Sequence, residues 1–362
     1  MPVESLGSAG LLRLGCCLTA RWTEMNLRLS IALLCVAFSS GARTQPVTTQ
    51  ESATPAPTLR ERIAAKRAER QAGRTPGNRP IGKPGTYDFT MEHDGETRMY
   101  RVHVPQSYSP ARPTPVVFSF HGGGGSADIM SQDKYYGLVT KSEQAGTIAV
   151  FPNGYSRFRD GKLATFNAGI CCGNARDKNV DDVGFVRKIV SRLKEQLNVD
   201  PDRISANGMS NGAMMSYRLA CEAAEIFHSI AAVAGTDGME TCKPSRPVNV
   251  LHIHARNDEL VLFNGGAGKD SKTLANFRSV NDTVARWVKL NGCNATPRRV
   301  LDRPREVVCE SYGGCTGGVE VKACITETGG HSWPGGVKVR TGERGSTAFN
   351  ANDMMWDFYE RR

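Results

Sequence analysis

Long apolar runs are missing from this 362-residue chain: nothing in it approaches the roughly 18 residues that a membrane-spanning helix needs. The most apolar stretch, 29–38, has the length of a signal-peptide core. Asn26-Leu27-Arg28 precedes it and the small residues Ser40-Gly41-Ala42 follow, where a signal peptidase would cut. A lipid anchor is excluded because Leu34 stands before Cys35, where a lipoprotein box requires a small residue. The expected product is therefore soluble and exported, periplasmic or extracellular, after cleavage near Ala42. Residues 1–24 fit no signal pattern, and Met25 makes a better start.

Metal-binding spacing is also missing. Of eleven cysteines, Cys16, Cys17 and Cys35 fall in or before the signal, which leaves eight: Cys171, Cys172, Cys221, Cys242, Cys293, Cys309, Cys315 and Cys324. Their spacings are irregular and no histidine stands at zinc-finger distance, so disulfides, the usual use of an even number of cysteines after export, are expected instead of zinc. Cys221 with Cys242 is the favoured single pair.

The chain has no internal repeat and no second core. Residues 43–84 are rich in Pro, Thr, Ala and Arg and too poor in apolar residues to pack. Arg60, Arg62, Lys66, Arg67, Arg70, Arg74, Arg79 and Lys83 stand there against Glu61 and Glu69, about +6 of the net +10. This segment reads as a basic linker, with a short basic helix at 59–72. From residue 85 onward, short β-like runs at 99–104, 116–120, 148–151, 203–206, 230–233, 248–253 and 319–325 alternate with helical stretches. Those at 182–196, 212–224, 280–290 and 350–359 repeat apolar residues every three or four positions. Alternation of this kind predicts a mostly parallel central sheet flanked by helices, in one domain over 85–362 after the 1–42 extension and the 43–84 linker.

Within that domain Gly208-Met209-Ser210-Asn211-Gly212 follows a strand and opens a helix, the setting of a nucleophile elbow. Serine needs a base. Of seven histidines, His93, His103 and His121 precede Ser210, His228 is placed on the following helix, and His252 and His254 sit in an apolar strand. His331, in Gly329-Gly330-His331-Ser332-Trp333-Pro334-Gly335, remains as the base reaching in from a loop. The acid is expected just past a strand: Asp258 is preferred, with Asp237 and Glu259 as competitors. His121-Gly122-Gly123-Gly124-Gly125 follows another strand and suits an oxyanion loop, with the Gly123 and Asn211 amides as donors. A phosphate loop is the other use of such glycines, but no Gly-Lys-Ser/Thr follows. Trp333 either stacks on an acyl group or sugar, as a substrate-binding residue, or packs. Asp181 or Asp182 caps the helix after it, with calcium as a weaker reading.

Taken together, 121–125, 167–173, 180–185, the Ser210 elbow and the Gly-His-Ser-Trp-Pro-Gly loop resemble the esterase and polyhydroxybutyrate depolymerase family, whose members include secreted feruloyl and acetylxylan esterases. The resemblance spans about 87–359. It implies an α/β-hydrolase fold, Ser210, Asp258 and His331 as the triad, and Gly123 and Asn211 as oxyanion donors. Depolymerase members commonly carry Cys where Gly123 stands, which weighs against the narrower polyester assignment. The expected activity is hydrolysis of carboxylic esters, feruloyl or acetyl esters of plant polysaccharide foremost and polyesters second. A non-catalytic exported binding protein on the same fold is the reading from another class. A small-molecule or polysaccharide-linked ester is the expected partner of a monomer, with no cofactor, metal or nucleic acid.

Overall fold

The computed structural model describes Thr58 and residues 80–271 and 275–360. The signal segment, Ala42, Met25 and the 59–72 helix lie outside the described residues. Among the described residues ten strands form one mixed sheet in the order β1-β2-β4-β3-β5-β6-β7-β10-β9-β8. The strands are β1 (Gly85–His93), β2 (Glu96–Val104), β3 (Thr114–Phe120), β4 (Ile148–Pro152), β5 (Val199–Met209), β6 (Ser229–Val233), β7 (Asn249–Ala255), β8 (Arg298–Arg303), β9 (Val307–Tyr312) and β10 (Val321–Thr326). From β4 through β3, β5, β6 and β7 to β10, neighbouring strands run parallel. Antiparallel strands close both margins, β1 and β2 at one and β9 and β8 at the other. This is the α/β-hydrolase architecture that the sequence leads one to expect.

Buried parallel strands read as near-continuous apolar runs, and those runs are what the sequence exposes. In β3, Val116, Phe118 and Phe120 enter one core layer and Val117 the other. The first layer is filled from α4 (Asp182–Gln196), α5 (Asn211–Glu222) and α6 (Val280–Leu290), the second from α1 (Ala127–Met130), α2 (Leu138–Ala145) and α7 (Ala351–Tyr359). A short α3 (Gly173–Asp177) lies between β4 and α4. Helix ends follow local chemistry. The Ser279 hydroxyl accepts from the Asp282 amide at 3.0 Å and starts α6, whose apolar side is Val280, Val284, Trp287 and Val288.

Two expectations are corrected here. His228 is not on the helix after Ser210; α5 has ended, and His228 leads directly into β6, its amide donating to Ile204 O. The marginal strands β1, β8 and β9 were not among the expected runs. β8, Arg-Arg-Val-Leu-Asp-Arg, is a largely exposed edge whose charges hide it from any apolar pattern. The eight cysteines pair as Cys171–Cys172, Cys221–Cys242, Cys293–Cys315 and Cys309–Cys324. Cys221–Cys242, the pair favoured from sequence, ties the end of α5 to the segment after β6. Among the described residues no helix is long and apolar enough to cross a membrane.

Candidate active site

The C-terminal ends of the parallel strands share one edge of the sheet, where open α/β sheets bind ligands. Ser210 follows β5, Asp258 follows β7, His331 follows β10, and the glycine turn follows β3.

Ser210 has φ +57° and ψ −117°, a left-handed conformation that non-glycine residues seldom adopt. Two close approaches hold it there. A Cβ on Gly212 would strike the Phe120 carbonyl, and one on Gly208 would strike the Gly212 backbone, so side chains are excluded on both sides of the elbow. The Ser210 amide donates to Val233 O at 2.8 Å, pinning the turn to the end of β6.

The glycine turn lies against this elbow: a Cβ on Gly122 would sit 3.5 Å from Ser210 Cβ, and one on Gly123 would sit 3.7 Å from Asn211 Cβ. Gly124 N donates to Ala164 O, tying the turn to that segment, and Gly125 N donates to Gly122 O, closing the turn itself, so both amides are committed. Asn211 begins α5, where the first backbone N–H groups have no partner within the helix. Its side chain is spent on the neighbouring loop, Oδ1 accepting from Phe166 N at 2.7 Å and Nδ2 donating to Phe166 O at 2.9 Å.

His121 was set aside in the sequence because it precedes the serine, and its role is only visible in three dimensions. It is 1% exposed; Nδ1–H donates to Gly122 O at 2.8 Å and Nε2 accepts from Gly154 N at 3.0 Å. Burial, with a smaller push from Arg98, lowers it to about 4 against the raising effect of the Gly122 bond. A neutral imidazole is thus a fixed brace for the glycine turn. The signal that would have found it is its place as first residue of the turn.

His331 Nδ1–H donates to Asp258 Oδ2 at 2.9 Å, with Oδ1 at 3.1 Å. Of the three acids weighed, Asp258 is the one His331 bonds. Asp237 is buried elsewhere, accepting from Met239 N and lying 3.3 Å from Arg286 Nε. Burial alone would raise Asp258, but the His331 bond and charge, His254 and the Val261 amide outweigh it and hold the carboxyl below its ordinary value. Asn257, missed in the sequence, accepts from Gly330 N at 2.9 Å and fixes the loop that carries His331.

The substrate-binding role expected of Trp333 is corrected. The indole is 3% exposed, meets Tyr136 edge-on and donates Nε1–H to Asn352 Oδ1 at 3.0 Å, so no face is open to an acyl group or sugar. It anchors the His331 loop to α7. Asp181 caps α4, its Oδ1 accepting from Gly184 N at 2.8 Å. Asp182 is committed to Arg98 and the Asn167 amide, which leaves neither carboxylate arranged for calcium.

The Esterase family's sequence model matches residues 92–280, more than half of the chain and a span that contains Gly123, Ser210, Asn211 and Asp258. The chain belongs to the Esterase family. It is a carboxylic ester hydrolase by that membership. Feruloyl esterase B of Piromyces equi is 29% identical over 239 residues, which cover 64% of this chain and 42% of that longer protein. Feruloyl esterase C of Emericella nidulans is 29% identical over 276 residues, covering 72% of this chain and 83% of the relative. A solved acetyl xylan esterase from Aspergillus awamori aligns with a TM-score of 0.49 at 15% identity, over 72% of this chain and 93% of the other.

Proposed function

We propose that this esterase hydrolyses carboxylic esters in two steps through an acyl-enzyme on Ser210. The observation that carries the reading is the Asp258–His331 bond at 2.9 Å on the same sheet edge as a serine with φ +57°. With Nδ1–H given to Asp258, His331 keeps Nε2 as the atom that accepts the serine proton. Ser210 Oγ then attacks the ester carbonyl and the oxyanion rests on the Gly123 and Asn211 amides. His331 returns the proton to the leaving alcohol, and water, activated in the same way, releases the acid.

The substrates in this reading are feruloyl or acetyl esters of plant polysaccharide, and the enzyme is exported before it meets them. Four disulfides support export. A polar cleft of about 510 Å³, lined by Asp237, Glu240, Asn264, Asn276, Arg278 and Ser279, supports a sugar-bearing alcohol, because such side chains suit hydroxyl groups. Its Asp237 side belongs to the segment after β6, where Gly235 packs against the Ser210 carbonyl. The test is Ser210→Ala assayed on p-nitrophenyl acetate, then the wild type on methyl ferulate, acetylated xylan and polyhydroxybutyrate granules. Activity is expected to vanish in the variant, and methyl ferulate or acetylated xylan to be turned over in preference to granules. An S210A enzyme that keeps its activity overturns the mechanism, and granule preference overturns the substrate class.

A further inference from the structure

Two histidines occupy a strand that has no evident need of them. His252 and His254 alternate along β7, so both project to the same face of a central parallel strand, and both are fully buried. The strands beside them offer Ala232 and Ala323 next to His252 and Ile325 next to His254, none ionisable. Their rings stack at 5.3 Å and 10°. Each ring leaves one nitrogen without a hydrogen-bond partner among the described residues, His252 Nε2 and His254 Nδ1. Aliphatic residues would fill this layer without leaving a polar atom buried and unpaired.

The bonded nitrogens show what is gained in return. His254 Nε2–H donates to Val261 O at 2.9 Å and lies 3.4 Å from Asp258 Oδ2. The same Val261 gives its amide to Asp258 Oδ1 at 2.9 Å, and Leu260 gives a second amide at 2.8 Å. Oδ1 is thereby saturated from the turn, and Oδ2 takes the shorter bond to His331. On the other side His252 Nδ1 is 2.8 Å from the Tyr217 hydroxyl, on the helix that begins at the Ser210 elbow. A polar ladder therefore runs from α5 through both imidazoles to the turn that holds the acid.

We propose that His254 is a positioning residue for Asp258, acting through the Val261 peptide to set the carboxylate's orientation toward His331, with His252 and Tyr217 bracing it from α5. This rests on the triad reading above. The charged and titratable groups facing His254 are Asp258 and His331 from the loops, His252 on its own strand, Arg256 across the Phe263 ring, and Tyr217 with Asp237 behind His252. Burial outweighs the attraction of Asp258 and lowers His254, and it lowers His252 further, so both rings stay uncharged while His331 cycles.

The experiment uses the full-length exported enzyme with His254→Leu, His254→Gln and His254→Asn beside the wild type and Ser210→Ala. Active sites are titrated with a p-nitrophenyl phosphonate, and kcat and KM on p-nitrophenyl acetate are followed over pH. A Gln carboxamide reaches Val261 O as the imidazole Nε2 does, whereas Asn is too short and Leu has no donor. The expected result is a fall in kcat per titrated site of about 10- to 100-fold in H254L and H254N, with KM within about twofold. The acid limb of kcat/KM should shift by about half a pH unit in the same two variants, with H254Q near wild type in both respects. Wild-type kcat and pH profile in H254L or H254N, whether or not Tm falls, overturns the positioning role. Should either fail to fold, an H254Q enzyme with the full loss overturns it equally. Failure of the triad reading is separate, because it shows as retained activity or phosphonate labelling in S210A.

Discussion

On the triad reading Asp258 orients His331 and has to stay ionised where water has been removed, and the means are visible atom by atom. Two turn amides at 2.8 and 2.9 Å supply hydrogen bonds to the charged form, and the His331 Nδ1–H supplies a third at 2.9 Å. Replacing Asp258 by Asn keeps the volume and the turn while presenting an N–H in place of an acceptor, which turns the His331 ring to the wrong tautomer. On the triad reading, kcat for p-nitrophenyl acetate is expected to fall by about 10³- to 10⁴-fold with KM little changed. Steady-state kinetics with circular dichroism for folding checks this. The corresponding Asp237→Asn change, which touches Arg286, Arg278, Trp287, Met239 and one wall of the polar cleft but not His331, should leave kcat on p-nitrophenyl acetate within about threefold.

At the scale of elements, β9 and β10 are stapled by Cys309–Cys324, two residues directly opposite in register, and β10 is the strand that delivers His331. A Cys309→Ser/Cys324→Ser double variant should lose about 2–4 kcal/mol of stability, lowering Tm by roughly 5–10 °C in calorimetry. An unchanged Tm would remove the staple from any account of the fold. The central strands and α4 to α7 were legible in the sequence because burial on two faces gives continuous apolar runs and burial on one face gives a 3.6-residue period. β8 was not, since an exposed edge made of Arg298, Arg299, Asp302 and Arg303 carries no such record. The same distinction governs the site. The elbow at Ser210 was legible because strand, turn and helix are contiguous in the chain, and the His331–Asp258 pair because His331 is the one histidine that follows Asp258. His121, Asn257 and His254 meet backbone groups of loops, Gly122 and Gly154, Gly330, and Val261 respectively, and no periodicity of the chain encodes such pairings. Trp333 was misread for that reason as well: its partner Asn352 lies on another element.

For the molecule as a whole, the buried imidazoles set a direction for acid sensitivity. Burial lowers His121, to about 4, and lowers His228, His252 and His254 in the same direction. These rings are neutral in the folded chain, while in the unfolded chain each binds a proton near pH 6.5. Their contribution is therefore complete above about pH 6.5 and is lost as pH falls toward the folded values. His121 alone forfeits roughly 3 kcal/mol between about 6.5 and 4, with about 2 kcal/mol of it gone by pH 5. Asp258, held low, adds a loss in the same direction at still lower pH. Asp182 and Asp237 oppose it, because burial raises them and the folded chain takes up their protons first. The imidazoles come into play from about pH 6.5 downward, while the carboxyls' ordinary value is 3.8, and a net charge of +10 grows as the imidazoles protonate. Calorimetry from pH 7.5 to 5 should accordingly give a Tm that falls steadily, and a Tm that holds or rises over that interval would contradict the neutral, buried state of these rings.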